Sequence, residues 1–315
     1  NRTMREITTQ ELNNLIINKK QFTLLDCRGV DYFNFEHLPH AINLRWKYVE
    51  DKASTLLPSK DKLIITSCDG FTCNSSIRCF QNLVKMGYTN ILEYSGGLAD
   101  WKAHGYKTII NPEFRIGDNV YRFPNQYYYS EKVNSYLIEE DDFILLIDGP
   151  QDLTEEHEDF IIHTGKSIKI FMSHGPTGGQ AEILQKKYKA KIYLHKDDIN
   201  NEWLSVKPDH LIDDGFEFSS HLKVIHDPGH THGSMSILDA KNKILFSGDQ
   251  VQGTKNGEIR DFIEKDDGVS GDPEVRLESA KKLLRYDFDM ILPFHYEMIR
   301  KNANNVLRRF IENYE

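Results

Sequence analysis

The chain has 315 residues, a length that favours two domains, because single domains commonly contain about 100–200 residues. A hydrophobic fraction of 39% and a charged fraction of 28% are ordinary for a folded protein and exclude extended disorder. The 39 basic and 48 acidic residues give a net charge of -9, which argues against a nucleic-acid partner. No apolar run approaches the roughly 18 residues of a membrane span, so no membrane association is predicted.

Cysteines and histidines are unevenly distributed along the chain. All four cysteines lie within the first 79 residues, whereas ten of the thirteen histidines follow residue 150. Four cysteines in a chain of this length do not suggest a disulfide framework, which predicts a reducing, cytoplasmic location. The distribution therefore predicts a thiol site in a front domain and an imidazole site in a rear domain.

Residues 5–108 are predicted to form the front domain, an α/β domain with a parallel sheet and helices on both faces. Three short apolar runs predict its strands, at 23–25, 63–66 and 91–94. Helical spacing of apolar residues predicts a helix over 74–86, and the alternation of strands with helices predicts that the strands are parallel. Residues 109–117, which contain Pro112 and Gly117, are predicted to be a linker.

Residues 118–315 are predicted to form the rear domain, an αββα sandwich. Short apolar runs predict its strands, at 120–123, 135–138, 143–147, 168–172, 192–194, 222–225, 235–238 and 244–246. Helices are predicted over 180–188 and 302–313. Short strands with helices before and after them are typical of two packed sheets covered by helices.

Cys68 lies in the loop between the second predicted strand and the helix over 74–86. Free backbone N–H groups in such a loop favour a thiolate and lower its pKa, so Cys68 is the candidate nucleophile. The loop also contains Asp69, Gly70, Phe71, Thr72 and Cys73.

The front domain resembles the rhodanese family of sulfurtransferases. The stretches that carry this resemblance are Leu25–Arg28, Glu36–Ala41, Cys68–Cys73, Gly87–Tyr88 and Gly96–Trp101. The resemblance implies that Cys68 accepts a sulfane sulfur and holds it as a persulfide. It also implies that Asp26 and Arg28 support the scaffold.

The residues of this loop do not suit the binding of thiosulfate. It contains neither arginine nor lysine, and the carboxylate of Asp69 should repel the thiosulfate dianion. A persulfide of a low-molecular-weight thiol, such as glutathione persulfide, is therefore the expected partner. Two interpretations remain open for Cys73. It either converts the Cys68 persulfide into a disulfide or is a small buried residue at the start of the helix. Cys27 and Cys79 are expected in the core.

Four residues of the rear domain each follow a predicted strand and stand beside glycine or proline: His174, His230, Asp249 and His295. Strand ends can converge at one edge of a sandwich. Histidine and carboxylate side chains gathered there predict a metal site.

The rear domain resembles the metallo-β-lactamase fold superfamily over residues 116–300, most clearly in Pro228–Ser234 and Ser247–Asp249. The superfamily motif H-x-H-x-D-H is eroded. His174 keeps its first position, but Pro176, Gly178 and Gly179 replace the remaining ligands. The remaining side chains are too few for two metals and sufficient for one.

His174, His230 and Asp249 form the two-histidine, one-carboxylate set of non-haem ferrous enzymes, with His295 as a possible fourth ligand. Persulfide dioxygenases, a branch of this superfamily, imply one Fe(II), and Arg260 and Tyr296 are the candidate substrate contacts. The leading interpretation is a sulfurtransferase coupled to a persulfide-dioxygenase-like rear domain. The alternatives are a zinc thiolester hydrolase resembling glyoxalase II, and a metal-free rear domain that serves as a binding partner.

Overall fold

The computed structural model describes residues 4–263 and 271–314, and their contacts divide the chain into two units. The first unit extends to Arg115 and also contains Glu155–His163, whereas the second contains Ile116–Thr154 and the chain from Thr164 onward. The division after Arg115 lies within the predicted linker. None of the described helices is long and apolar enough to cross a membrane.

The first unit is built on a parallel sheet. Its strands are β1 (Thr23–Asp26), β2 (Glu36–His37), β3 (Ala41–Asn43), β4 (Ile64–Ser67), β5 (Ile91–Tyr94) and β6 (Ile109–Ile110). Its helices are α1 (Thr9–Ile17), α2 (Val30–Phe35), α3 (Val49–Leu56), α4 (Ser75–Lys85), α5 (Gly97–Ala103) and α6 (Glu155–Ile162). The central sheet has the order β3-β1-β4-β5 with every pair parallel, as predicted.

Helices cover both faces of this sheet because its strands are apolar on both sides. Leu25 packs in one buried cluster with Leu83 of α4, whereas the adjacent Leu24 packs in a second cluster with Leu98 of α5. Successive strand residues face opposite sides, so each strand contributes to both clusters. Cys27 and Cys79 are buried in the first cluster.

Helix α6 packs in the first unit, although the sequence assigned these residues to the rear domain. Phe160 contacts Tyr32 and Phe35 of α2, with ring centroids 4.9 Å and 4.6 Å away. Arg45 pairs with both Glu156 and Asp159. The predicted boundaries missed this packing because the acidic run at 155–159 has the composition of a solvent-exposed helix.

The second unit contains two packed sheets. Its strands are β7 (Val120–Arg122), β8 (Tyr127–Tyr128), β9 (Glu131–Lys132), β10 (Tyr136–Glu139), β11 (Phe143–Ile147), β12 (Ser167–Phe171), β13 (Lys191–His195), β14 (His210–Ile212), β15 (Glu217–Ser219), β16 (Leu222–His226), β17 (Met235–Asp239), β18 (Ile244–Gly248) and β19 (Met290–Pro293). Its helices are α7 (Ala181–Tyr188), α8 (Pro273–Leu283) and α9 (Ala303–Glu312).

The two sheets have the orders β14-β13-β12-β11-β10-β7 and β15-β16-β17-β18-β19. Side chains of both sheets, such as Leu145 and Val224, share one buried cluster between them. On the outer face of the second sheet, Ala280 of α8 and Leu307 of α9 pack over Leu245. With α7 beside β13, this arrangement is the predicted αββα sandwich.

Gly97, the first residue of α5, allows this helix to approach the loop that follows β4. A β-carbon at Gly97 would lie 2.5 Å from the Cys68 carbonyl oxygen and 2.7 Å from the Gly70 nitrogen. Its φ of +58° also disfavours any residue with a β-carbon. Gly105 has a similar φ of +74° but has no atom within 4 Å of its β-carbon position.

We expect Gly97→Ala to destabilise the first unit more than Gly105→Ala. The substitution at Gly105 adds only the left-handed backbone cost of about 1–2 kcal/mol. The substitution at Gly97 adds the clash as well, for a further loss of about 2 kcal/mol or more. Urea unfolding followed by the fluorescence of Trp46 and Trp101 measures both losses. Equal losses for the two variants would show that the close approach contributes nothing.

Candidate active sites

Cys68 follows β4 directly, and its loop is fixed by hydrogen bonds from the first turn of α5. The Leu98 N–H donates to the Cys68 carbonyl at 3.0 Å, and the Ala99 N–H donates to the Asp69 carbonyl at 2.8 Å. Only 2% of Cys68 is exposed. The rest of the loop is more open, with Asp69, Phe71 and Thr72 exposed and Gly70 and Cys73 half-buried.

The Cys68 sulfur lies among polar groups contributed by α4 and β5. Its Sγ is 3.2 Å from the Cys73 carbonyl oxygen and 3.4 Å from Ser76 Oγ. Ser76 in turn donates to Glu93 Oε1 at 2.8 Å. Burial raises the pKa of Glu93. The sequence did not identify Ser76 or Glu93, because neither lies in the cysteine loop.

The thiols of Cys68 and Cys73 influence each other's ionisation. The Cys68 thiol and the N–H groups of Asp69 and Ser75 donate to the Cys73 sulfur, which lowers the pKa of Cys73 to about 5. The same hydrogen bond, together with burial, raises the pKa of Cys68. The hydroxyl and the backbone N–H of Ser76 act in the opposite direction and lower the pKa of Cys68.

Arg28 supplies the positive charge that the loop itself lacks. Its guanidinium is 2.7 Å from Asp26 Oδ2 and 3.2 Å from Asp69 Oδ1, and only 6% of its side chain is exposed. A buried arginine shared between two carboxylates supports the scaffold. The ion pair with Arg28 also compensates part of the negative charge of Asp69.

Three side chains of the predicted metal site meet at one edge of the sandwich in the second unit. His174 Nε2 lies 3.3 Å from Asp249 Oδ2, and His230 Nε2 lies 3.6 Å from the same oxygen. The two imidazole rings are perpendicular, with centroids 4.7 Å apart. All three residues are buried, and their candidate ligand atoms lie within 4.8 Å of one another.

His295 lies against Asp249 and orients the carboxylate. Its Nδ1 is 2.8 Å from Asp249 Oδ2, and its backbone N–H donates to Asp249 Oδ1 at 3.0 Å. Gln252 Nε2 also donates to Oδ1, at 2.9 Å. These contacts fix the direction in which the carboxylate points. With Nδ1 directed at Asp249, the His295 ring does not join the group formed by the other three.

The charge states of these residues suit a metal ligand set. Burial and the neighbouring His174 lower the pKa of His230 to about 3, so its imidazole is neutral. Burial opposes ionisation of Asp249, but His295 and His174 outweigh it and hold the pKa of the carboxyl well below its usual range. A neutral imidazole and an ionised carboxylate are the forms that bind metal ions.

Two buried aspartates that the sequence did not identify hold the histidine loops in place. Asp148 Oδ1 accepts the Ser173 N–H at 2.8 Å, and Ser173 Oγ lies 3.0 Å from His174 Nδ1. Asp198 accepts the Gly175 N–H and the Gly233 N–H, both at 2.8 Å, and so joins the two loops. Asp148 follows β11, just as His174 follows β12. This shared position after a strand is the sequence feature that could have identified Asp148.

Gly178 and Gly179, which follow His174 in the chain, lie where no side chain fits. A β-carbon at Gly178 would be 2.7 Å from Val206 Cγ2. One at Gly179 would be 2.6 Å from both Pro150 O and Gln151 Nε2, and Gly179 has a φ of +49°. A side chain at either position would therefore require its neighbours to shift.

Among the residues that the structure describes, the buried group at this edge of the sandwich fits one metal ion. His230 makes no ring hydrogen bond to any described residue, since its Nδ1 is buried without a partner and its Nε2 only approaches Asp249. A buried imidazole without a hydrogen bond is unfavourable unless it binds something else. His174, His230 and Asp249 would hold the ion, and these three donors match a ferrous site.

A second histidine group, formed by His195, Asp197 and His226, has a poorer geometry for a metal. The two rings are stacked face to face with centroids 3.9 Å apart, and the Asp197 N–H already donates to His195 Nδ1. Lone pairs that lie in two parallel ring planes do not converge on one ion.

Arg260 and Tyr296, the two candidate substrate contacts, are in contact with each other. The Arg260 guanidinium lies over the Tyr296 ring, 4.2 Å from its centroid. Tyr296 adjoins His295 and is 44% exposed. The pair therefore offers a cation and an aromatic surface close to His295.

Two family models match the chain. The rhodanese-like domain matches residues 8–104, and the metallo-beta-lactamase superfamily matches residues 179–299. The adenylyltransferase and sulfurtransferase UBA4 of Candida albicans is 33% identical over 101 residues, which cover 30% of this chain and 23% of that protein. The thiosulfate sulfurtransferase GlpE of Coxiella burnetii is 25% identical over 89 residues, which cover 28% of this chain and 79% of that protein.

Solved structures show the fold of the second unit. The DIM-1 metallo-beta-lactamase superposes with a TM-score of 0.51 at 15% identity, covering 62% of this chain and 96% of that one. The metallo-beta-lactamase from Pontibacter korlensis gives 0.50 at 15% identity, covering 63% and 95%. The chain thus carries a rhodanese-like domain at residues 8–104 and a domain of the metallo-beta-lactamase superfamily at residues 179–299.

Proposed function

We propose that this chain handles sulfane sulfur at two sites, with uptake on Cys68 and oxidation of a persulfide in the rear domain. The observation that carries the first part is the Cys68 sulfur at the end of β4, within reach of a thiolate partner at Cys73 and of Ser76. GlpE and UBA4, which resemble the first unit, are named as sulfurtransferases. All four cysteines are free, which suits a reducing compartment.

In the uptake step, the Cys68 sulfur attacks the outer sulfur of the donor as its proton passes to the Cys73 thiolate. The donor's inner sulfur leaves as a thiolate, and Cys68 becomes a persulfide. A persulfide of a low-molecular-weight thiol is the favoured donor, because thiosulfate is a small dianion and the exposed Asp69 carboxylate, which Arg28 only partly compensates, lies beside the nucleophile. Glutathione persulfide meets this description.

The rear domain is proposed to oxidise such a persulfide with dioxygen and water to a thiol, sulfite and two protons. A ferrous ion held by His174, His230 and Asp249 would supply the redox chemistry. His295 keeps Asp249 oriented, and Arg260 on Tyr296 can hold an anionic part of the substrate. The space filled around Gly178 and Gly179 disfavours a two-zinc hydrolase.

We expect Cys68→Ser to reduce persulfide-dependent thiocyanate formation from cyanide at least about 100-fold, because serine cannot carry the sulfur. Cys79→Ala serves as the matched control, since Cys79 is buried in the core, and this variant should keep most of the activity. Transfer that survives Cys68→Ser but disappears in Cys73→Ser would place the nucleophile at Cys73.

We expect oxygen uptake with glutathione persulfide after anaerobic reconstitution with ferrous iron, and its loss in both His230→Ala and Asp249→Ala. Each substitution removes one of only three donors. His232→Ala is the control, because His232 lies in the same loop but is exposed. Uptake that is unchanged in the two variants would contradict the assigned ligands, and thiolester hydrolysis by a zinc-loaded protein would favour the hydrolase instead.

A further inference from the structure

The cysteine loop brings a second thiol to the proposed sulfur carrier. The loop closes on itself through the Cys73 N–H, which donates to the Gly70 carbonyl at 2.9 Å. This turn returns Cys73 to Cys68, whose Sγ lies 3.2 Å from the Cys73 carbonyl oxygen. This contact places Cys73 directly beside the Cys68 sulfur.

Cys73 differs from the two remaining cysteines in exposure and in surroundings. Cys27 and Cys79 are fully buried among apolar side chains, where a thiolate is disfavoured. Cys73 is half-buried at the end of an open loop, and the N–H groups of Asp69 and Ser75 donate to its sulfur. It therefore has the access and the anion stabilisation that a resolving thiol needs.

We infer that Cys73 is a resolving cysteine, which displaces hydrosulfide from the Cys68 persulfide and forms a Cys68–Cys73 disulfide. This inference rests on the proposed function, because the persulfide must first form on Cys68. It gives the front domain a second activity, the release of sulfane sulfur as sulfide when no external acceptor takes it.

The step is an internal displacement at sulfur that needs no added oxidant. The Cys73 thiolate attacks the Cys68 Sγ, and the bond between Sγ and the outer sulfur breaks. The electron pair of that bond leaves with the outer sulfur as hydrosulfide. The sulfane sulfur is reduced and the two cysteine sulfurs are oxidised to the disulfide. Two equivalents of a low-molecular-weight thiol then restore the dithiol and become a disulfide themselves.

The internal step competes with transfer to an external acceptor, which attacks the outer sulfur instead of Sγ. A persulfide left without an acceptor is exposed to further oxidation. Resolution by Cys73 replaces it with a disulfide that thiols can reduce. The concentration of acceptor thereby decides whether the bound sulfur is transferred or released as sulfide.

The test uses the full chain treated with one equivalent of glutathione persulfide and then alkylated with iodoacetamide. Trypsin cleaves after Lys62 and Arg78, so Cys68 and Cys73 lie on one peptide and Cys79 lies on the next. We expect the wild-type peptide to lose two hydrogens and to resist alkylation, with about one equivalent of sulfide released per chain. Cys68→Ser provides the blank for sulfide released by the donor itself.

In Cys73→Ser the same peptide should retain one extra sulfur atom, trapped as the alkylated persulfide, with no sulfide above the blank. Cys73→Ala must behave likewise, which separates loss of the thiol from an effect of the serine hydroxyl. A persulfide that persists equally in wild type and in both variants overturns the resolving role. A wild-type chain that takes up no sulfur overturns the proposed function and, with it, this inference.

Discussion

Close packing leaves no room for a β-carbon at Gly97, and the position of the cysteine loop depends on this constraint. The missing β-carbon lets α5 bond to the carbonyls of Cys68 and Asp69, which fixes the loop. In the rear domain, Gly178 and Gly179 likewise lie where a β-carbon would clash with neighbouring atoms. Close packing at this density resists the addition of even one carbon. The same constraint therefore positions the thiol and keeps two positions in the loop after β12 free of side chains.

The two sites use different means to control charge in buried surroundings. In the rear domain the Asp249 carboxylate is compensated by His174 and His295, because a buried charge without partners would be strongly unfavourable. In the front domain the loop itself contributes no cation, and the two thiols influence each other's ionisation instead. The first arrangement favours a fixed ligand set. The second favours proton movement between neighbouring atoms, which suits nucleophilic sulfur chemistry.

Strand ends were the most informative feature of the sequence. The apolar run before His174 and the one before Asp249 predicted that both side chains reach one edge of the sandwich, and the structure places them 3.3 Å apart. Long-range packing was not predictable from spacing. Val206 fills the space beside Gly178 from 28 residues away, and Glu93 reaches Ser76 from another strand. The influence of Cys73 on the ionisation of Cys68 was not predictable either, because loop N–H directions depend on backbone torsions.

The number of bound metal ions tests the central claim most directly, because a single set of three donors, His174, His230 and Asp249, would hold one ion whether or not the domain is active. Anaerobic calorimetric titration of the chelator-free protein with ferrous iron, followed by elemental analysis, measures that number. We predict one ion per chain in the wild type and none in Asp249→Ala. Two ions per chain, or none in the wild type under any condition, would contradict a single-ion site formed by His174, His230 and Asp249.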